Sequence, residues 1–137
     1  MRPIIFAYKV YRGLASPILP IGLHGPKGWR QTEAYVDSGA FVSIFTVAEA
    51  DRIGLLYETG KEHLVTVGDG SLIRVYLHRL LIQIGDQRLR ATIGFSPRLG
   101  VGFNLMGRQD IFTYFDVTFS DAKRQVAFRS IAVHKRR

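Results

Sequence analysis

The stretch "YVDSGAFVSIF", from Tyr35 to Phe45, places one aspartate, Asp37, between an apolar pair and a Ser-Gly step before it returns to apolar residues. Asp-Ser-Gly is common in turns, so a polar surface turn is one explanation of the triplet. Its position favours another explanation, because it directly follows "WRQTEAYV" (29–36), whose composition and alternation predict a β-strand. Asp37 is therefore expected at the edge of the core, where a rigid strand aims its carboxylate.

The composition predicts one globular domain over residues 1–137, since a chain of 137 residues with 47% hydrophobic content can bury a core. There is no cysteine, which excludes disulfides, thiolate nucleophiles and cysteine-ligated zinc and favours a reducing, cytoplasmic location. No apolar run approaches the roughly 20 residues of a membrane-spanning helix, and the first residues do not resemble a signal peptide. We expect no membrane partner.

The charge is strongly basic, with 19 Lys and Arg against 11 Asp and Glu and a net charge of +8. Basic chains can bind nucleic acid. Here the charges are scattered singly, except in the terminal "HKRR", and this pattern predicts a solvated basic surface with a tail over residues 132–137. A small basic β-barrel that binds DNA or RNA with a steep salt dependence stays open as an alternative.

Short apolar runs between turn residues predict an all-β fold with little helix. A strand is expected over Pro3–Val10 and a second over Pro17–Leu23, followed by a turn at "HGPKG" (24–28). Hairpins are expected at 80–95, where Ile82, Ile84, Leu89, Ala91 and Ile93 would face the core, and at 115–128.

A third hairpin is expected within His63–Leu77, with its turn at Gly68-Asp69-Gly70-Ser71. Asp-Gly is a preferred pair for turns in which both central residues have positive φ. Helix is predicted at Thr46–Gly54, opened by a capping box in which the Thr46 and Glu49 side chains each satisfy a free backbone N–H. A short buried strand and then a short helix are predicted in "LMGRQDIFTYF" (105–115).

The sequence lacks the patterns that other kinds of site require. The four histidines share no ligand spacing, so no metal site is expected. No phosphate-binding GxxxxGK[ST] or dinucleotide GxGxxG pattern occurs, and Ser38 lacks the GxSxG context of a serine nucleophile. We therefore expect no cofactor, and Asp37-Ser38-Gly39 remains the candidate for chemistry.

In this order of elements the chain resembles the retropepsin-like aspartic proteases, the single-domain family of the retroviral proteases and their bacterial relatives. Two stretches carry the resemblance, "YVDSGA" (35–40) and "NLMGRQDIF" (104–112), with the Gly-Asp-Gly hairpin between them. The helix after the first motif makes the resemblance closer to the bacterial members. It implies a closed acid-protease-type β-barrel with a flap hairpin and one or two short helices, one lobe per chain.

The resemblance also implies residue roles. Asp37 would be the catalytic aspartate, the Ser38 hydroxyl would tie two active-site loops together, and Gly39, followed by Ala40, would let the substrate backbone approach. A strand beside this loop and the start of a C-terminal helix would come from Leu105, Met106, Gly107 and Arg108. Viral members often carry an acidic partner for this arginine at the position that is Phe41 here.

The flap tip implied by the resemblance consists of Val67, Gly68, Asp69, Gly70 and Ser71. Apolar pocket walls would come from Val67, Leu72, Ile73 and Phe103, and they would favour hydrophobic side chains next to the cut.

One chain contains one Asp-Ser-Gly, whereas this type of peptide hydrolysis needs two carboxylates that share a proton. The resemblance therefore implies a two-fold homodimer with one Asp37 from each copy, acting as an aspartic endopeptidase on a peptide or protein substrate. The alternative within the same fold is a catalytically silent domain that serves for dimerisation or peptide binding.

Overall fold

The computed structural model describes residues 2–99 and 103–131 as twelve β-strands, one short α-helix and one 3-10 helix. The α-helix, α1, covers Val47–Arg52, and the 3-10 helix covers Tyr57–Thr59. The prediction of an all-β fold with little helix is confirmed. The tail predicted at 132–137 and residues 100–102 lie outside the described residues. The strands are β1 (Ile4–Ala7), β2 (Lys9–Tyr11), β3 (Leu14–Ser16), β4 (Ile18–Gly25), β5 (Gly28–Val36), β6 (Ser43–Thr46), β7 (Lys61–Thr66), β8 (Leu72–Ile84), β9 (Gln87–Ser96), β10 (Asn104–Met106), β11 (Phe115–Ser120) and β12 (Gln125–Ser130).

Seven strands form one sheet in the order β4-β5-β10-β6-β9-β8-β7, and β4 also pairs with β8, so six of them close into a ring. β7 lies outside the ring and pairs with β8 along one side only, as far as the described residues extend. β5 and β10 are parallel neighbours. The segments that follow these two strands, one beginning with Asp37 and the other with Gly107, therefore leave the sheet side by side.

The core joins the ring, α1 and a separate three-stranded sheet of order β1-β12-β11. The side chains predicted to face the core from the 80–95 hairpin, Ile82, Ile84, Leu89, Ala91 and Ile93, are all buried. Phe128 on β12 makes edge-to-face contacts with Phe6 on β1 and Phe115 on β11, which join the three strands of this small sheet. Phe115 and Phe128 are themselves buried in the common core. The hairpin predicted at 115–128 is confirmed by the antiparallel pairing of β11 with β12.

The single strand predicted over Pro3–Val10 is wrong, because the chain breaks at Tyr8 and then forms the small β2–β3 hairpin. The turn of this hairpin places Arg12 at φ 50° and Gly13 at φ 79°. Two consecutive positive φ angles match the right-handed twist of a tight hairpin, but Arg-Gly is a weaker sequence signal for this turn than Asn-Gly or Asp-Gly.

The capping box predicted for α1 is wrong, since the side chain of the N-cap residue Thr46 makes no capping hydrogen bond. Instead, the buried Asn104 accepts a hydrogen bond from the Thr46 N–H through its Oδ1 at 3.1 Å, and its Nδ2 donates to Glu49 at 3.1 Å. The Glu49 carboxylate also accepts a hydrogen bond from the hydroxyl of Thr32. Asn104 thus takes over the bond predicted for Glu49 and links α1 to β10.

The short helix predicted after Met106, with Arg108 at its start, is also wrong, because a bend at Arg108 is followed by turns over residues 109–114. Asp110 lies at φ 66°, a left-handed conformation that interrupts a helix. Its carboxylate accepts hydrogen bonds from the Thr92 N–H at 2.7 Å and from Arg79 at 2.8 Å. These bonds to β8 and β9 hold the segment in its turn conformation.

The turn between β7 and β8 differs in type from the predicted one. Among the residues Val67 to Ser71, Gly70 has a positive φ, 86°, and Asp69 does not. The Gly70 N–H donates to the Val67 carbonyl and the Val67 N–H to the Ser71 carbonyl, which makes a three-residue loop with a glycine bulge. Hydrogen bonds from the Ser71 hydroxyl, and then from its backbone N–H, hold the pKa of Asp69 below its usual value.

Candidate active site

Asp37 stands at the point where β5 ends. Its backbone N–H donates to the Met106 carbonyl on the parallel strand β10 at 2.9 Å, so the neighbouring strand fixes the start of the loop. The Gly39 N–H donates to the Asp37 Oδ1 at 2.9 Å, and the Ala40 N–H donates to the Asp37 carbonyl at 3.2 Å. The side chain is half-buried, and its Oδ2 makes no hydrogen bond to the residues that the structure describes. One carboxylate oxygen is thus held while the other remains available.

The segment predicted to lie beside this loop does so. The Arg108 N–H donates to the Ala40 carbonyl at 2.9 Å, and the Gln109 N–H donates to the Phe41 carbonyl at 2.8 Å. The Gly107 N–H donates to the hydroxyl of the fully buried Ser43 at 2.9 Å. The loop of residues 37–41 is therefore bonded along its length to residues 106–109, and its backbone is rigidly placed.

Gly107 is where the two segments approach most closely. A Cβ at this position would lie 2.7 Å from both the carbonyl carbon and the carbonyl oxygen of Val42, and 2.9 Å from the carbonyl oxygen of Ala40. These are backbone atoms, which have no rotamer with which to move away. The position requires glycine because of the close approach.

The side chain of Arg108 has an aromatic neighbour, Phe41, at the position where the resemblance made an acidic partner the alternative. Its guanidinium carbon lies 5.8 Å from the centroid of the Phe41 ring, within the range of a cation–π contact. Phe41 is 59% exposed and faces a large cleft. The ring of Phe41 thus contacts Arg108 and also adds apolar surface to the cleft.

The cleft has a volume of about 720 Å³ and runs between the Asp37 loop and β7. Val67, Gly68 and Phe103, all predicted to contact a substrate, line it. The other flap-tip residues, Asp69, Gly70 and Ser71, are not part of the cleft lining. Of the predicted pocket residues, Leu72 lies outside the lining and is 61% exposed, whereas Ile73 is buried beneath the cleft with 8% exposure. Its lining within the described residues is Tyr35, Asp37, Gly39, Ala40, Phe41, Val42, Ile44, His63, Leu64, Val65, Thr66, Val67, Gly68, Leu99, Phe103 and Leu105.

The lining includes every residue from His63 to Gly68 in succession. Alternate residues of a strand point to opposite faces, so a continuous run indicates that the strand borders the cleft with its edge. β7 pairs with β8 on one side only, within the described part of the chain, and its other edge therefore carries backbone N–H and C=O groups toward the cleft. An extended peptide could bind there as an added strand.

One wall of the cleft is an aromatic stack that the sequence did not reveal. The ring of Phe103 is stacked nearly parallel to the ring of Tyr35, with 5.0 Å between the ring centroids. The ring of Tyr11 meets Phe103 edge-on, with 5.3 Å between the centroids. Tyr11 belongs to the β2–β3 hairpin, which thus supports the wall from behind. These three residues are far apart in the sequence, and no local spacing links them. The buried Ser43 was missed for the same reason.

A smaller hollow of about 340 Å³ shares Asp37 and Tyr35 with the cleft and is also lined by the exposed Ser38. Tyr8 lies in its wall and donates a hydrogen bond from its hydroxyl to the Asp121 carboxylate at 2.8 Å. Burial, helped by the nearby Asp121 carboxylate, raises the pKa of Tyr8 to about 12. The contact connects the segment after β1 to the turn between β11 and β12.

The raised pKa predicts that the phenol of Tyr8 ionises at a higher pH than an ordinary tyrosine. Tyr8 should keep its proton to about pH 12 in the folded protein but only to its usual 10.0 in the unfolded chain. Its contribution to the unfolding free energy should therefore be complete below pH 10 and lost as the pH rises toward 12. In an ultraviolet titration of phenolate absorbance, Tyr8→Phe should remove the transition near pH 12 and Tyr11→Phe should leave it. Persistence of that transition in Tyr8→Phe would contradict the assignment.

No family model and no curated protein matches the sequence. Solved structures do match. A retropepsin-like aspartic protease from Rickettsia conorii superposes with a TM-score of 0.62 at 16% identity, over 92% of this chain and 89% of that one. The EIAV protease complexed with the inhibitor HBY-793 superposes with a TM-score of 0.52 at 16% identity, over 73% of this chain and 88% of that one.

The chain has a retropepsin-like fold. The prediction from the two sequence motifs is thereby confirmed at the level of the fold. The higher TM-score and coverage of the bacterial protein agree with the predicted likeness to bacterial members. Within residues 2–99 and 103–131 of this retropepsin-like fold, no helix is long and apolar enough to cross a bilayer, and no three acidic or histidine side chains form a metal-binding group.

Proposed function

We propose that the protein is a homodimeric aspartic endopeptidase in which two Asp37 carboxylates, one from each copy, activate water to hydrolyse a peptide bond. The observation that carries the proposal is the position of Asp37, on a rigidly bonded loop facing a largely apolar cleft of about 720 Å³. The retropepsin-like fold supports the same reaction class.

The chemistry requires two carboxylates in different protonation states. The ionised carboxylate takes a proton from a water molecule while the oxygen of that water attacks the carbonyl carbon of the peptide bond. The protonated carboxyl group donates its proton to the carbonyl oxygen. The first carboxylate then gives the proton that it took from water to the amide nitrogen, and the C–N bond breaks as the tetrahedral intermediate collapses. The hydroxyl of the intermediate returns a proton to the second carboxylate, which restores the pair. Two carboxylates about 3 Å apart cannot both ionise, which keeps one proton on the pair, as is general for aspartic proteases.

The second carboxylate is expected from a second copy of the chain. Asp37 is the one acidic side chain in the lining of the cleft within the described residues. A two-fold axis beside Asp37 would bring the Asp37 side chains of the two copies together, because an isologous contact uses the same surface of both subunits. The exposed Ser38 lies at this same surface, where its hydroxyl could tie the two loops together.

The cleft is suited to an extended peptide with hydrophobic side chains near the cut. The free edge of β7 offers backbone hydrogen bonds, which supports binding of an extended peptide there, and the Val67–Ser71 turn would close over that peptide as a flap. Phe41, Phe103 and Leu105 supply apolar walls.

A mixing experiment tests the shared site. Wild-type protein is mixed with Asp37→Asn at constant total concentration, and peptide cleavage is measured after subunit exchange. If each active unit needs one Asp37 from each copy, an equal mixture should keep about a quarter of the activity, because only that fraction of random dimers is fully wild type. A mixture with Asp51→Asn, on the exposed face of α1, is the control and should keep full activity.

A fall to one half in the equal mixture with Asp37→Asn would show that each chain acts alone. If the purified wild-type dimer cleaves no peptide between about pH 3 and pH 8, the range in which such carboxylate pairs titrate, the catalytically silent alternative is favoured instead.

A further inference from the structure

The cleft contains one basic side chain among those that line it in the described part of the chain. Its lining side chains are mostly apolar, and Asp37 and His63 are the acidic and the basic side chain among them. His63 is exposed and lies on β7, the strand whose edge borders the cleft. An ionisable group on an otherwise apolar wall is a candidate for selecting a charged ligand.

The strand register shows which face carries His63. It pairs with Val75, while the flanking pairs on the same face are Lys61 with Leu77 and Val65 with Ile73. Ile73 and Val75 are buried in the apolar cluster beneath the cleft, and Val65 and Leu77 pack against that cluster. His63 therefore lies on the face of the β7–β8 hairpin that is turned toward the cluster and the cleft.

No protein group neutralises the imidazole within the described residues, since His63 makes no hydrogen bond or ion pair there. Where it pairs with β7, the neighbouring strand β8 presents the uncharged Ile73, Val75 and Leu77 on this face. Arg79, further along β8, is paired with Asp110. Lys61 is the nearest charged residue on the same face of β7, Glu62 is paired with Arg74 on the opposite face at 3.0 Å, and Asp37 is the ionisable group across the cleft. The imidazole is thus free to bind a group of the ligand.

We propose that His63 binds the carboxylate of an acidic side chain in the peptide, so that the cleft selects Asp or Glu at one position away from the cut. This inference rests on the proposed function, because it takes the ligand to be a peptide. A protonated imidazole donates a charge-assisted hydrogen bond, which is stronger among apolar neighbours than in open water. Histidine carries its proton at the acid pH at which a shared carboxylate pair works.

The register also limits which peptide position is read. His63 and Val67 are separated by four residues of extended chain, and a strand rises about 3.3 Å per residue, so they are about 13 Å apart. A peptide bound along the edge of β7 spans a similar length per residue. The selected acidic side chain should therefore lie about three to four positions from the residue beneath the flap tip.

The test uses eight-residue peptides with an apolar centre, each made in a Glu and a Gln version at one scanned position. For the wild-type protein at about pH 5, the kcat/KM for Glu should exceed that for Gln about tenfold at one distal position. At about pH 8 the ratio should fall toward one, because histidine is then neutral. A ratio near one at every position and at both pH values overturns the proposal while leaving the proposed protease function intact.

Three variants separate charge from shape. His63→Gln should bring the ratio to about one at both pH values, whereas His63→Arg should keep the preference for Glu at about pH 8 as well as at about pH 5. The matched control is His24→Gln, an exposed histidine that contacts Trp29 and lies outside the cleft lining, and it should not change the ratio. A preference for Glu that persists in His63→Gln overturns the proposal.

A binding measurement separates this inference from the proposed function. Fluorescence anisotropy of the same labelled peptides with Asp37→Asn should give a Glu-to-Gln affinity ratio that matches the wild-type kinetic ratio. If wild-type protein cleaves nothing but binds the Glu peptide more tightly through His63, the inference holds and the protease proposal fails. If no peptide in the series binds at either pH, the inference is overturned as well.

Discussion

The Asp37→Asn variant is expected to lose peptide-cleaving activity by about 10⁴-fold or more in kcat/KM. An amide can neither take the proton from the attacking water nor share a proton with the partner carboxylate. The fold should be unaffected, because the asparagine carbonyl can still accept the hydrogen bond that the Gly39 N–H donates to Asp37 Oδ1. The measurement combines peptide cleavage with thermal unfolding and size-exclusion chromatography.

The control for this variant is Asp51→Asn, which makes the same chemical change at an exposed position on α1. It should keep wild-type activity. If Asp37→Asn kept its activity while folded and dimeric, another residue would have to perform the chemistry. If it lost both activity and fold, the loss would report on structure, which is why the unfolding curve is measured on the same sample.

The Gly107→Ala variant is expected to lose about 3 kcal/mol of unfolding free energy and most of its activity. The added methyl group would lie 2.7 Å from the backbone of Val42 and 2.9 Å from the Ala40 carbonyl oxygen. Relief requires the separation of the Asp37 loop from residues 106–109, which would break the hydrogen bonds between Arg108 and Ala40 and between Gln109 and Phe41. The measurement is urea unfolding, with midpoint and slope analysed separately.

Gly68→Ala is the matched control for stability, since a Cβ at Gly68 would have no neighbour within 4 Å. Its unfolding midpoint should lie close to that of the wild type. An unchanged midpoint in Gly107→Ala would mean that the two loops can separate without cost, and the rigid placement of Asp37 would then need another explanation.

Much of the fold was predictable because its signals are local. Alternating apolar residues predicted the strand faces, as in Ile82 and Ile84, and the Asp-Gly pair predicted the hairpin with its turn at 68–71. Asp37 could be singled out because the triplet follows a strand. The partners of the loop could be placed only through a resemblance, since β10 reaches β5 from a distant part of the chain.

The errors arise where distant side chains override a local pattern. Glu49 fits a capping box in sequence, but Asn104, 55 residues away, occupies the Thr46 N–H and binds Glu49. Residues 107–114 have a helix-like pattern, but the bonds of Asp110 to Thr92 and Arg79 hold its left-handed conformation. The four histidines share no ligand spacing in the sequence, and the place of His63 on the cleft wall becomes visible only when β7 is paired with β8.

The insertion of β10 between β5 and β6 has a consequence for how the protein is made. Synthesis proceeds from the N-terminus, so the Asp37 loop leaves the ribosome well before Asn104–Met106, which supplies its parallel neighbour. Such long-range pairings pay the entropy of closing a large loop and form slowly. The loop therefore gains its final geometry only after residues 104–106 have been translated, and an unfinished chain that ends before residue 104 carries Asp37 without the strand that aims it.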